Sequence, residues 1–200
     1  RTPLALIQEA LRAARLQPEQ IEVLAVGLGP GSYTGIRAAI AIAQGWQLAR
    51  TVRLLGLSSA ECLAAQALAA GCRGRVAIAI AAQRDEFHLA AYELAASGAR
   101  LVEPLQLVRR PVVQARADQG EVLIGPELDA RLPGARQFFP DAAVLGRLAE
   151  GRTDFVSGDC LQPLCLRQAA FAQAPPPRLV GLTAPTEDAG QPRSAPATNR

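Results

Sequence analysis

Apolar positions recur at helical spacing from the first residues. Thr2 followed by Pro3 reads as a helix N-cap with proline at the first helical position. Leu4, Ile7, Leu11 and Ala14 then share one helical face, and Pro18 ends the helix. Residues 21–26 read as a buried strand, and a glycine-rich loop covers residues 27–35. An alanine-rich apolar segment over residues 36–49 is long enough for a second helix. Residues 52–57 read as another strand, and the Ser58/Glu61 pair predicts a capping box opening a helix to about Ala70. Helix, strand, helix, strand, helix is the order of an α/β layer with a mostly parallel sheet.

The pattern changes at residues 71–74. Residues 75–81 and 86–94 alternate about a polar turn at 83–85, which predicts a hairpin and an antiparallel turn of the sheet. Residues 101–108 and 121–124 add two strands. Residues 140–150 form a short helix with Val144, Leu145 and Leu148 inward. From Ala174 onward proline, threonine, serine and charge dominate, so residues 174–200 are expected to be a disordered tail. The expected domains are residues 1–73, with 161–170 returning to them, and residues 74–160.

Composition narrows the chemistry. The 200 residues carry a net charge of +3, too little by itself to mark a nucleic-acid binder. Every basic side chain is arginine, which removes a Schiff-base lysine, a Ser/Lys dyad and a P-loop lysine. Methionine is absent, and the chain opens directly in a helical pattern, so it is expected to lack the start of its reading frame. Four cysteines with no C-x-x-C pair and a single histidine, His88, make a poor zinc set; buried free thiols in a reducing compartment are expected instead. No apolar run approaches the roughly 18 residues of a membrane span.

One stretch is specific: Gly27-Leu28-Gly29-Pro30-Gly31-Ser32-Tyr33-Thr34-Gly35-Ile36-Arg37, leaving a strand and entering a helix. It fits neither G-x-x-x-x-G-K-[ST], nor G-x-G-x-x-G, nor G-x-S-x-G. Physical chemistry leaves two roles open for Gly29, Pro30, Gly31, Ser32, Tyr33, Thr34 and Gly35. One is an anion cradle of backbone N–H groups; the other is a tight corner against which another backbone packs.

As a string, GLGPGSYTGIR resembles the TsaB (YeaZ) family. The stretch from Leu57 to Ala64 is similar to that family's hydrophobic-S-S-L-E-A-L-A helix start, and VAIAIAAQRDEFHLAAY (76–92) to its strand–DAR–x–G–E–V–Y hairpin. PLCLR (163–167) is similar to its closing P-x-Y-L-R. Ala81-Ala82-Gln83 replaces Asp-Ala-Arg, and Cys165 replaces the tyrosine. The resemblance covers residues 4–167. It implies an α/β, two-domain actin/Hsp70-like (RNase H-like) fold with mixed sheets flanked by helices, here without the first strands of its first domain.

The resemblance further implies a cytoplasmic, non-catalytic scaffold subunit of the assembly that makes threonylcarbamoyladenosine beside the anticodon of tRNA. The implied partners are a TsaD-like catalytic paralogue, a TsaE-like ATPase, tRNA through the complex, and a second copy of the chain when the paralogue is absent. No metal or catalytic residue is assigned, and ATP or ADP is placed only at the interface with the partner. The implied contact surfaces are the first helix, with Leu4, Ile7 and Leu11, and the helix after the loop, with Ile36, Ala39, Ile40, Ala43 and Trp46. Periodicity alone leaves open whether that second helix faces a partner or its own sheet, and whether Trp46 is anchor or core. The competing functions are an independent kinase or ATPase of the same fold and a glycopeptidase-like enzyme. His88 as a structural residue, Asp85 and Glu86 as a solvated turn, and Arg109, Arg110, Arg131, Arg136 and Arg147 as a solvated face complete the expectations.

Overall fold

In the computed structural model, residues 2–128, 132 and 134–164 are described. Helix α1 (Pro3–Ala14) opens as expected, with the Thr2 Oγ1 accepting from the Ala5 N–H at 3.4 Å. It closes at Arg15 in the left-handed region. No residue of α1 is buried. A helix with an apolar stripe and no buried residue has not spent its hydrophobic face within the described structure.

Strand β1 (Val23–Gly27) pairs in parallel with β2 (Arg53–Leu57), in register from Val23 opposite Arg53 to Gly27 opposite Leu57. These strands form a two-stranded sheet. The expected burial of this segment holds at Val26 only, because β1 has no strand on its other edge among the described residues. Between the strands, α2 (Tyr33–Ala49) starts three residues before the predicted point. Ser32 is the reason: its Oγ accepts from the Gly35 N–H at 3.3 Å and caps the helix.

Helix α3 (Ser59–Ala69) is capped by Ser58, whose Oγ accepts from the Ala60 N–H at 3.1 Å. The predicted partner in that cap, Glu61, instead accepts from Arg152 at 3.1 Å, tying α3 to a segment far along the chain. Strands β3 (Gly74–Ala81) and β4 (Glu86–Ala95) form the expected antiparallel hairpin, and β5 (Gly98–Arg109) continues it. Strand β6 (Val122–Gly125) lies parallel to β3 and carries β7 (Arg136–Gln137), completing a five-stranded sheet in the order β5-β4-β3-β6-β7. Gly125 is required where it stands, since a Cβ there would run into the Ala79 carbonyl of β3.

Alternation along β3 divides two cores. Val76, Ile78 and Ile80 pack with Leu63, Ala64 and Ala67 of α3, while Ala77 and Ala79 face Phe87, Leu123 and Val113. Val113 belongs to α4 (Arg110–Asp118), a helix that the hydrophobic pattern does not predict. Its signal is Pro111 at the first turn, obscured by a polar sequence that buries only one residue. Helix α5 (Ala142–Ala149) agrees with expectation, with Val144 buried and capped by Asp141, whose Oδ1 accepts from Ala143 and Val144.

The chain after α5 runs back to the two-stranded sheet. Val156 bridges Leu54, Leu161 is buried with Val26, Ile40 and Val52, and the Leu164 N–H donates to the Leu28 carbonyl at 2.8 Å. Gln44 and Gln47 of α2 clamp Gly158 through its carbonyl (2.7 Å) and N–H (2.8 Å). The expected tail, Cys165 to Arg167, and Arg131 lie outside the described residues.

Candidate functional site

The glycine-rich loop has a fixed floor and an open crest. The Leu28 N–H donates to the Leu57 carbonyl at 2.8 Å, and the Gly29 carbonyl accepts from the Ser59 N–H at 2.7 Å. Gly29 and Pro30 are buried, with a cis bond between them, whereas Gly31, Ser32, Tyr33, Thr34 and Gly35 are exposed. Gly29 sits at φ +98°, and a Cβ there would stand 2.7 Å from Ile36 Cδ1. So the first glycine serves a tight corner, with the start of the next helix as the neighbour that packs against it. Tyr33 is 56% exposed and its hydroxyl accepts from Arg37 at 3.0 Å.

The crest borders a cleft of about 670 Å³. Gly31, Ser32, Gly35 and Ile36 form one wall; Ile80, Ala81, Pro126, Glu127, Phe139 and Pro140 form the other. Its size suits a nucleotide, but its chemistry does not. Among the described residues no arginine lines it, and the charged side chain on its walls is the carboxylate of Glu127. Among the described residues a triphosphate would meet α2's first-turn N–H groups and the Ser32 and Ser59 hydroxyls, with Glu127 opposing it. The described lining therefore supplies no cation to hold ATP or ADP.

A second depression, about 340 Å³, opens between α1, α2 and β1. Leu6 and Ile7 of α1, Leu24 and Val26 of β1, and Ala39, Ile42, Ala43 and Trp46 of α2 surround it. The structure thus brings together four of the predicted contact residues: Ile7, Ala39, Ala43 and Trp46. It separates the others. Ile40 is 6% exposed and belongs to the protein's own core. Ile36 turns to the cleft, Leu11 borders another depression beside Arg12 and Arg15, and Leu4 is exposed. Helical spacing at Leu4 and Ile7 concealed Leu6, which is 49% exposed and lines the groove. Trp46 is partly buried, and its Nε1 has no hydrogen-bond partner among the described residues. A buried donor left unpaired is costly, so this indole nitrogen lowers the stability of the free chain.

Other candidates have structural roles. Both oxygens of Asp85 accept from Arg110 Nε at 2.9 Å, and Arg110 Nη2 lies 2.8 Å from Asp85 Oδ1, an ion pair at the start of α4. Arg136 approaches the Cys72 thiol at 3.1 Å, so Arg110 and Arg136 are engaged separately. His88 lies on β4 opposite Ile80 and Leu107. Among the described residues no three His, Cys, Asp or Glu side chains converge as metal ligands. Burial pushes the Cys62 thiol up from its ordinary value, which makes it a packing residue rather than a nucleophile.

No helix among the described residues is long and apolar enough to cross a membrane. The family model described as "TsaD: tRNA N6-adenosine threonylcarbamoyltransferase" matches residues 2–120. A tRNA threonylcarbamoyladenosine biosynthesis protein TsaB of Escherichia coli K12 is 31% identical, over 82% of this chain and 78% of that protein. The TsaB of Haemophilus influenzae is 33% identical over 42% of this chain and 36% of its own length. Among solved structures, YeaZ from Pseudomonas aeruginosa superposes with a TM-score of 0.69 at 27% identity, covering 82% of each chain.

Proposed function

This chain belongs to the TsaB (YeaZ) family, and from that premise we propose that it is a non-catalytic partner subunit in the making of threonylcarbamoyladenosine in tRNA. It holds a TsaD-like catalytic paralogue through the groove between α1 and α2. The observation that carries this reading is the unspent apolar face: α1 buries none of its residues, and Leu6, Ile7 and Trp46 border an open depression. A partner helix or strand seated there removes apolar surface from water, at about 1.5–3 kcal/mol for each large side chain fully covered.

The same reading places a TsaE-like ATPase and tRNA on the complex rather than on this chain alone, in the cytoplasm. It allows the groove to take a second copy of the chain when the paralogue is absent. Nothing at the cleft or elsewhere favours phosphoryl transfer or peptide hydrolysis by the described residues. Size-exclusion chromatography with light scattering, on this chain mixed with the TsaD-like protein of the same organism, tests the proposal. A one-to-one complex that Leu6→Asp abolishes is expected. A mixture that elutes as two separate proteins would refute the scaffold role.

A further inference from the structure

The large cleft beside the glycine-rich loop asks for a different occupant from the groove. Apart from Ser32 and Ser59, its uncharged walls are apolar side chains and glycine or proline backbone, and Phe139 on its rim is 54% exposed. Among the described residues these walls carry one charge, Glu127. Glu127 is held at φ +54°, a left-handed conformation that glycine or asparagine adopts at less cost. Fold geometry alone would be better served by either of those residues, so the carboxylate stands here against local backbone preference.

Charge decides what can cover this surface. Among the described residues an anionic ligand, whether nucleotide or RNA phosphate, meets a carboxylate and no guanidinium on the walls. A wholly apolar surface would strip water from Glu127 and leave it unpaired, a heavy penalty. An occupant that carries a cation among apolar groups meets both demands, since its charge pairs with Glu127 while its neighbours cover Phe139, Ile80 and Ile36. Exposed amides at the start of α2 can serve the carbonyls of such a segment.

We propose that this cleft receives a segment of the TsaD-like partner that presents an arginine or lysine beside an apolar side chain. The inference rests on the partner-subunit reading and adds a second contact, centred on Glu127, to the groove between α1 and α2. A charge pair across an interface with little water is worth at least about tenfold in affinity.

The test is a calorimetric titration of the TsaD-like protein with the full chain and three variants. Glu127→Asn suits the left-handed backbone and removes the charge. It is expected to melt no lower than the parent chain and yet bind about tenfold more weakly, with a loss that shrinks as salt is raised. Glu127→Arg is expected to weaken binding about a hundredfold or more. Leu6→Asp, in the groove, serves as the control. If Leu6→Asp weakens the complex while both Glu127 variants bind like the parent, the cleft is not a contact and this inference falls, but the partner role stands. If the parent chain forms no complex at all, both fall. Saturable binding of ATP to the parent chain alone, enhanced by Glu127→Arg, would overturn the inference in favour of a nucleotide.

Discussion

The two sheets of this protein are finished to different degrees. Every residue of β3 from Val76 to Ile80 is buried, α3 covers one face of that sheet, and Val113, Leu128 and Leu132 cover the other. Its β5 edge is blunted by Pro104, which donates no hydrogen bond, and by Arg100 and Glu103. The β1–β2 sheet has none of this protection at β1. Depressions of about 340 Å³ and 530 Å³ flank β1, one beneath α1 and α2 and the other against α5. Among the described residues, packing density separates a closed sheet from one with apolar surface still open.

Core truncation sharpens the contrast most. Phe87, fully buried in the five-stranded sheet, is expected to cost about 3–5 kcal/mol when changed to alanine. Leu24→Ala in β1 is expected to cost only about 1 kcal/mol, because Leu24 already borders two depressions. Denaturant melts compare the two, and equal costs would break the distinction. Next in size is Trp46→Ala, expected to lower affinity for the TsaD-like partner by about 2 kcal/mol or more, roughly 30-fold. Calorimetry reads that loss directly.

Smaller effects belong to the finished sheet. Arg75 and Arg116 both pair with Glu103 and Glu121, stitching β3, β5 and α4 together. Arg116, and then Arg75, hold the Glu103 carboxyl below its ordinary range. A lowered folded-state pKa stabilises fully above the ordinary carboxylate range, and that stabilisation is lost as pH falls through the lowered value. Glu103→Gln is therefore expected to cost about 0.5–1 kcal/mol at neutral pH and less in acid or high salt, by thermal melts. Burial, and then the charge of Glu61, raise the Tyr92 phenol from its ordinary 10 to about 12. Its contribution is present below pH 10 and is lost as pH rises through about 12, so phenolate absorbance from Tyr92 is expected to reach its midpoint near pH 12.

Much of this division was legible in the residues, and the misses have physical causes. The β3–β4 hairpin announced itself by alternation, and α1 by Thr2-Pro3. Helix α4 escaped because it buries only Val113, leaving too little apolar periodicity to detect. The glycine-rich string stood out, but spacing could not tell a cradle from a corner; the contact between Gly29 and Ile36 makes Gly29 a corner and leaves the exposed crest from Gly31 to Gly35 open to either role. Nor could spacing assign Ile40 to the core and Leu6 to the groove, since adjacent helical residues differ by a rotation that only tertiary packing fixes. Glu127 lay in no motif, and its place in the cleft depends on how β6 ends beside β3.

Hydrogen exchange on this chain, with and without the TsaD-like partner, tests the central claim most directly. The partner is expected to slow exchange in α1, α2 and β1, and at the cleft rim at Glu127 and Phe139. Strands β3, β4 and β5 should stay as they are in the free chain. Protection confined to those three strands, with α1 and α2 unchanged, would contradict it.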